Sequence, residues 1–423
     1  MSPPLFSFYG DDFTGSTDAL EALAANGVSS VLFPATPDER LLAAFPECRA
    51  IGIAGESRSR SPEWMSAHLP AVFESLRSYG APICQYKVCS TFDSSPETGS
   101  IGRALEIGQE VFGTPCVPIV VAAPHLKRYV LFGNLFAAGG GAIHRIDRHP
   151  TMSRHPVTPM EESDLRRHLA RQTDRPIGLL DILALHAEDP GTLGSTCAAK
   201  GGLLFDGLDE ASLEATGRLL WNSRPAFPMF AIGSSGLTHA LIRYWRKEGM
   251  IPADFTPPVA PAVDRLIVIS GSCSPVTEAQ IRWAMANGFD GFRVDAGREC
   301  LLDRAATSLS GGSSVILYTA LGPLDLSGSL RGEALGNYLG ELLLELVERT
   351  GVRRVLLAGG DTSTHAVKRL GVEALTFDAL TTPGAPLCRC HAAARPIDGL
   401  EIVLKGGQVG PEDYFARVRR GNS

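Results

Sequence analysis

Short apolar runs alternate with helical stretches along nearly the whole chain, and this alternation restricts it to folds built on parallel strands. Leu5-Phe6-Ser7-Phe8-Tyr9 reads as a buried strand, and Gly10 to Ser16 supplies turn residues. Leu20, Leu23 and Ala24 then recur at helical spacing, with Gly27 as the stop. Further strands are expected over 28–33, 50–54, 83–88 and 117–122, and helices over 62–79 and 101–112. Strands at 177–180 and 202–205 and helices at 210–220 and 237–245 carry the pattern to about Gly249. Parallel neighbours need a crossover between them, usually a helix, so the fold class is α/β. Residues 127–175, which include Gly139-Gly140-Gly141, have weak periodicity and no assigned elements.

The stretch from Pro252 to Pro261 is rich in proline and cannot run as regular helix. Beyond it the pattern restarts, with strands at 266–269, 354–358 and 401–404 and helices at 276–286 and 332–350. A chain of 423 residues exceeds one ordinary core. Two domains are expected, 1–251 and 264–423, each a mostly parallel sheet flanked by helices, joined by a linker over 252–263.

A net charge of -7 argues against nucleic acid or an anionic membrane as partner, because both reward a basic face. An anionic small molecule would need a local pocket of cations and backbone N–H groups. The apolar runs fall well short of the roughly 20 residues that cross a bilayer. The first residues lack the basic and apolar regions of a signal peptide, so a cytoplasmic location is expected. Nine cysteines scattered from Cys48 to Cys390 do not form a dense framework, and reduced thiols are expected. Cys388-Arg389-Cys390-His391 is a cluster of soft ligands without the second pair of a structural zinc site. No metal ligand is assigned.

In a parallel sheet, ligands collect at the carboxyl ends of the strands, where helix N-termini present unpaired N–H groups. Gly359-Gly360-Asp361-Thr362-Ser363-Thr364 fits that position: its glycines permit close approach of a phosphate and its hydroxyls add donors. The same residues also suit a tight turn with a helix cap. No P-loop and no Gly-x-Gly-x-x-Gly occurs. Asp11 and Asp12 are adjacent carboxylates after a buried strand; either can take a proton or bind hydroxyls, and both can serve as caps. Lys87-Val88-Cys89-Ser90-Thr91-Phe92-Asp93 places a cation beside two hydroxyls, which suits a carboxylate ligand or a plain strand-end turn. Arg154-His155-Pro156-Val157-Thr158-Pro159-Met160 is either a basic site or a loop.

Gly10-Asp11-Asp12-Phe13-Thr14-Gly15, the Lys87 to Ser94 and Arg154 to Met160 segments, Ser270-Gly271-Ser272-Cys273-Ser274-Pro275-Val276-Thr277, Gly359 to Ser363, and Leu404-Lys405-Gly406-Gly407 occur in this order across the chain. Together they resemble the four-carbon acid sugar kinase family. The resemblance implies ATP-dependent phosphorylation of a hydroxyl on an aldonate or oxo-aldonate, with Mg²⁺ on the phosphates. Asp11, Asp12 and Thr14 would face the sugar, with Asp12 favoured over Asp11 as base. Lys87, Ser90 and Thr91 would hold its carboxylate or hydroxyls. Ser270, Ser272, Gly359, Gly360, Asp361, Thr362, Ser363 and Gly407 would surround ATP. Many relatives carry Glu at the position of Asp361, and residues 129–148 depart from the common pattern. The Cys89 and His155 segments look closest to the 3-oxo-tetronate branch, and the unusual middle keeps branched oxo-acids such as 3-oxo-isoapionate in view. The competing readings are a non-catalytic binding protein and a nucleotide-independent hydrolase or isomerase. A homodimer stays open.

Overall fold

The computed structural model describes residues 3–187, 201–294, 298–322, 332–393 and 396–421, leaving aside the side chain of Asp361. The first strands are β1 (Phe6–Gly10), β2 (Ser30–Phe33), β3 (Ala50–Ala54), β4 (Ile83–Lys87) and β5 (Cys116–Val120). Next come β6 (Arg128–Leu131), β7 (Asn134–Gly139), β8 (Ala142–Arg145), β9 (Ile177–Leu180), β10 (Gly201–Phe205) and β11 (Met229–Gly233). The remainder are β12 (Ile267–Ser270), β13 (Phe289–Arg293), β14 (Ser314–Tyr318), β15 (Arg354–Ala358), β16 (Ala374–Ala379), β17 (Leu387–His391) and β18 (Glu401–Lys405).

Contacts divide the chain into two units. The first comprises residues up to Gly15, 26–29 and 46–255. Its sheet runs β3-β1-β4-β11-β5-β10-β9, parallel at every pairing. Burial on both faces explains the continuous apolar runs in these strands. The helix Pro62–Ser78 starts on Ser61, whose side chain accepts from Trp64 N, with Pro62 pre-set in the first turn. It buries Met65, Leu69, Phe73 and Leu76, one stripe at helical spacing. Phe73 and Phe112 both pack on Phe230 of β11, with ring centroids 5.1 and 5.4 Å away. The helix Ile101–Phe112 runs so close that a Cβ on Gly108 would lie 2.1 Å from the Phe230 ring.

The weakly patterned region contains a small antiparallel sheet, β6-β7-β8. Gly140 and Gly141, at φ 58° and 85°, form the two-residue turn between β7 and β8. Positive φ at both positions is what a type I′ hairpin needs, which accounts for two of the three consecutive glycines.

The second unit comprises 16–25, 30–45 and 256 onward. Strands β13-β14-β12-β15-β18 are parallel, and β17, β16 and β2 continue the sheet antiparallel. The expected first domain included residues 16–45. Most of that segment groups with the second unit because Val31 and Leu32 pair with Thr376 and Leu375, and all of β2 is buried. Residues 252–263 form neither helix nor strand.

Cys388 and Cys390 are alternate residues of β17 and both are buried on one face of the strand, whereas His391 falls on the opposite face, so the soft-ligand cluster is divided between the two faces. Seven described cysteines are free thiols, but Cys116 is disulfide-bonded, which corrects the expectation of reduced thiols throughout. Among the described residues no helix is long and apolar enough to cross a membrane.

Candidate functional site

Because β3, β1 and β4 are parallel and in register, with Gly10 opposite both Ala54 and Lys87, their carboxyl ends open on one edge. Three backbone bonds stitch the following loops together. Asp11 N donates to Lys87 O at 2.9 Å, Gly55 N to Gly10 O at 2.9 Å, and Arg58 N to Asp11 O at 3.0 Å. Arg58 is thereby delivered to the acid pair: its Nη1 donates to Asp12 Oδ2 at 2.8 Å, and its Nε lies 3.3 Å from Asp11 Oδ2.

The two carboxylates differ in their surroundings. Asp12 Oδ1 accepts from Gly15 N at 2.5 Å, and Asp12 Oδ2 accepts from the Thr14 hydroxyl at 3.1 Å as well as from Arg58. Asp12 thus caps the helix Phe13–Ala24. Asp11 is buried, and its Oδ1 has no hydrogen-bond partner among the described residues. Lys87 is buried too. A Cβ on Gly15 would lie 2.6 Å from Asp12 Oδ1, so a side chain there would press on the capping carboxylate, while Lys87 Nζ at 3.5 Å and Asp11 Oδ1 at 3.7 Å would be at ordinary contact distance.

Burial pushes the Asp11 carboxyl up to about 7; Arg58 and Lys87 oppose this, while Asp12 and Asp93 reinforce it. Asp93 goes the other way. Burial would raise it, but Arg58, the Thr91 hydroxyl and His155 together hold it below the usual carboxylate range. Burial also works against the charge on Arg58, and Asp11 and Asp12 more than compensate, keeping the guanidinium firmly protonated.

The loop after β4 is bent by Phe92, buried at φ 56°, a conformation rare for an aromatic residue. Thr91 Oγ1 donates to Asp93 Oδ1 at 2.5 Å, and Thr158 Oγ1 donates to Asp93 Oδ2 at 3.4 Å. The bond to Asp93 brings the His155 segment to this loop, and within that segment Thr158 N donates to His155 Nδ1 at 3.1 Å. Ser90 is buried in the same loop. From behind, Ser94 Oγ meets His168 Nε2 at 2.9 Å and accepts from Gln172 Nε2 at 2.9 Å. Burial pushes His168 down to about 4, so it works there as a neutral ring.

In the second unit, β12, β15 and β18 end side by side. Gly271 N donates to Ala358 O at 3.1 Å and Gly359 N to Lys405 O at 2.9 Å. Ser270 and Ser272 are buried, and Ser274 caps the helix Pro275–Ala286 by accepting from Val276 N. The helix Gly360–Arg369 begins on Gly359, at φ 119°, with no side-chain cap. Thr362 and Ser363 lie in its first turn, with Ser363 Oγ donating back to Gly359 O at 2.8 Å. The side chain of Asp361 lies outside the described residues. Glycine is required where the loops meet: a Cβ on Gly271 would fall 2.1 Å from Thr362 Oγ1, and one on Gly407 2.8 Å from Ser272 Oγ. Gly360, by contrast, has open space where its Cβ would be. An uncapped helix N-terminus beside hydroxyls and close-set backbone has donors of the kind that can hold a phosphate.

Each set of residues expected from the sequence is therefore gathered, the acid pair with Lys87, Ser90 and Thr91 in one unit, the serines and glycines in the other. The sequence motifs do not include Arg58, and they include Asp93 and Lys405 without a role for either. Arg58 follows a short strand in Ser57-Arg58-Ser59-Arg60, and a turn after the third strand was the available signal. Lys405 is buried at the end of β18, its Nζ donates to Thr277 Oγ1 at 3.0 Å, and burial pushes it down to about 7. Thr277 in turn donates to Gly407 O at 2.8 Å.

Residues 6–241 match the model of a sugar-binding N-terminal domain, and residues 267–415 that of a nucleotide-binding C-terminal domain. A 3-oxo-isoapionate kinase of Paraburkholderia graminis is 48% identical over 99% of this chain and 94% of its own. A 3-oxo-tetronate kinase of Cupriavidus necator is 30% identical over 99% and 97%. A crystal structure from Salmonella typhimurium LT2, described as a tRNA synthase, matches with a TM-score of 0.79 at 26% identity over 99% of both chains. A Haemophilus influenzae protein has the same fold, with a TM-score of 0.74 at 22% identity over 98% of this chain and 99% of its own. The two domain models and the full-length match to kinases assign the chain to the acid sugar kinase family, phosphotransferases with an alcohol group as acceptor.

Proposed function

We propose that this kinase phosphorylates a hydroxyl of a small 3-oxo sugar acid at the expense of ATP, with 3-oxo-isoapionate as first candidate and 3-oxo-tetronate as second. The order follows the relatives, 48% identity to a kinase of the former and 30% to one of the latter. The sequence motifs alone favoured the reverse order.

The observation that carries the mechanism is the contrast within the acid pair. Asp12 is occupied by Gly15, Thr14 and Arg58, whereas Asp11 keeps a buried oxygen without a partner. We assign Asp11 as the base and Asp12 as the cap that fixes the turn, reversing the preference drawn from the sequence. The substrate oxygen attacks the γ-phosphorus, its proton passes to Asp11, the new O–P bond forms, and the bond to the β-phosphate oxygen breaks to release ADP. Lys87, Ser90 and Thr91 line the sugar side; Ser270, Ser272, Gly359 to Ser363 and Gly407 line the phosphates. Phosphoryl transfer depends chiefly on positioning and charge stabilisation, which these donors supply. Mg²⁺ is part of the reading as the ion carried on ATP. Among the described residues no group of three or more His, Cys, Asp or Glu is arranged to hold a metal, so no protein cage is assigned to it. The reaction draws on ATP, which is consistent with work in the cytoplasm.

Coupled detection of ADP with ATP and a panel of four- and five-carbon aldonates and their 3-oxo forms tests the proposal. Release should require both ATP and an acid, fastest with 3-oxo-isoapionate. Absence of turnover across the panel would overturn it.

A further inference from the structure

We infer that Arg58 receives the carboxylate of the sugar acid and thereby sets the preference for acids over neutral sugars. This rests on the proposed substrate class. A small sugar acid presents one carboxylate beside its hydroxyls, and it needs a cation with unused donors near the base. Two cations flank Asp11, and they are not equivalent. Lys87 is 2% exposed and set beside Gly15 and Asp11. Arg58 keeps 27% of its side chain exposed. Among the described residues its guanidinium makes one hydrogen bond, Nη1 to Asp12 Oδ2, while Nε faces Asp11 at 3.3 Å without hydrogen-bond geometry.

A guanidinium offers five N–H donors in a planar fork, and a carboxylate takes two of them in parallel. Most of the fork is therefore unused. Its main chain is tied to Asp11 O at 3.0 Å, so a carboxylate on the remaining edge lies next to the acid pair, with its neighbouring hydroxyls toward Asp11. Lys87, which the family resemblance gives to the sugar's carboxylate or hydroxyls, lies beside the acid pair and is left to the hydroxyls.

The test compares full-length wild type, Arg58→Gln and Arg58→Lys by ADP release, using 3-oxo-isoapionate and its uncharged primary amide, each at the pH plateau of the variant. Wild type should prefer the acid. In Arg58→Gln, kcat/KM for the acid should fall roughly 10- to 100-fold, the value of a charge-assisted bond, while that for the amide changes far less and KM for ATP stays put. Arg58→Lys should restore part of the preference. Equal losses for acid and amide would mean that Arg58 only orients the acid pair, and would overturn the inference while leaving the kinase reading intact. No turnover by wild type with any acid overturns the substrate class and this inference with it.

Discussion

At the scale of single residues, the division of work proposed for two adjacent carboxylates rests on the different partners of their oxygens. Asp11→Asn keeps the shape and removes the acceptor, so kcat should fall by about 10² to 10⁴, the range of general-base catalysis. Asp12→Asn still presents an oxygen to Gly15 N and should retain most of the turnover. Equal losses in single-turnover measurements would remove the distinction. The pH dependence has a definite sign. Asp11 must be ionised to accept a proton, so kcat/KM should rise with pH through about 7, where its folded-state carboxyl titrates. Loss of the Arg58 charge should move that limb upward, since the guanidinium is the largest influence opposing burial. The pair was legible in Gly10-Asp11-Asp12, but the choice between its members was not. Which carboxylate is satisfied depends on a cap three residues ahead and on an arginine from the turn after another strand, and the latter depends on β3 lying beside β1.

At the scale of elements, strand ends followed by glycine and hydroxyl residues were readable because a buried parallel strand is a short apolar run and its loop must release the chain into a helix. The β6-β7-β8 sheet was not. Its strands are half-exposed, so neither period dominates, and only the Gly140-Gly141 turn marked it. On the nucleotide side, Gly271→Ala would drive a methyl toward Thr362 Oγ1, 2.1 Å from the new Cβ, and displace the first turn of the uncapped helix. KM for ATP should rise several-fold while KM for the sugar acid holds, a split that simple loss of active protein does not produce. The helix Phe13–Ala24 carries a second test. Glu21, buried, accepts from Gly384 N at 2.9 Å, and burial pushes its carboxyl up to about 8. Between its unfolded value near 4.5 and about 8 the folded state holds a proton that the unfolded chain has released. This group therefore lowers stability as pH rises through that window, by at most about 1.4 kcal/mol per unit. Glu21→Gln should flatten the decline of Tm over that range, and an unchanged slope would show that the carboxyl is not buried in solution.

At the scale of the whole chain, the repeated strand-turn-helix pattern revealed two α/β units because each has its own apolar interior, one centred on Phe73, Phe112 and Phe230, the other on residues such as Leu266, Ile316 and Leu356. The antiparallel flank escaped it. Nothing local marks β2 as a partner of β16, because a buried Ser30–Phe33 reads the same whichever sheet receives it. Since sugar-side and nucleotide-side residues belong to separate units, lesions in one should spare the ligand response of the other. Mg-ATP at a hundredfold excess over its Kd should stabilise the native state by about 2.7 kcal/mol. Asp11→Asn should keep that thermal shift in full while losing turnover. Gly271→Ala should lose much of the shift at the same nucleotide concentration, yet respond to the sugar acid as wild type does. If Asp11→Asn abolished the nucleotide-induced shift as well, Asp11 would be needed for nucleotide binding, and its assignment as a base acting on the sugar hydroxyl would fall.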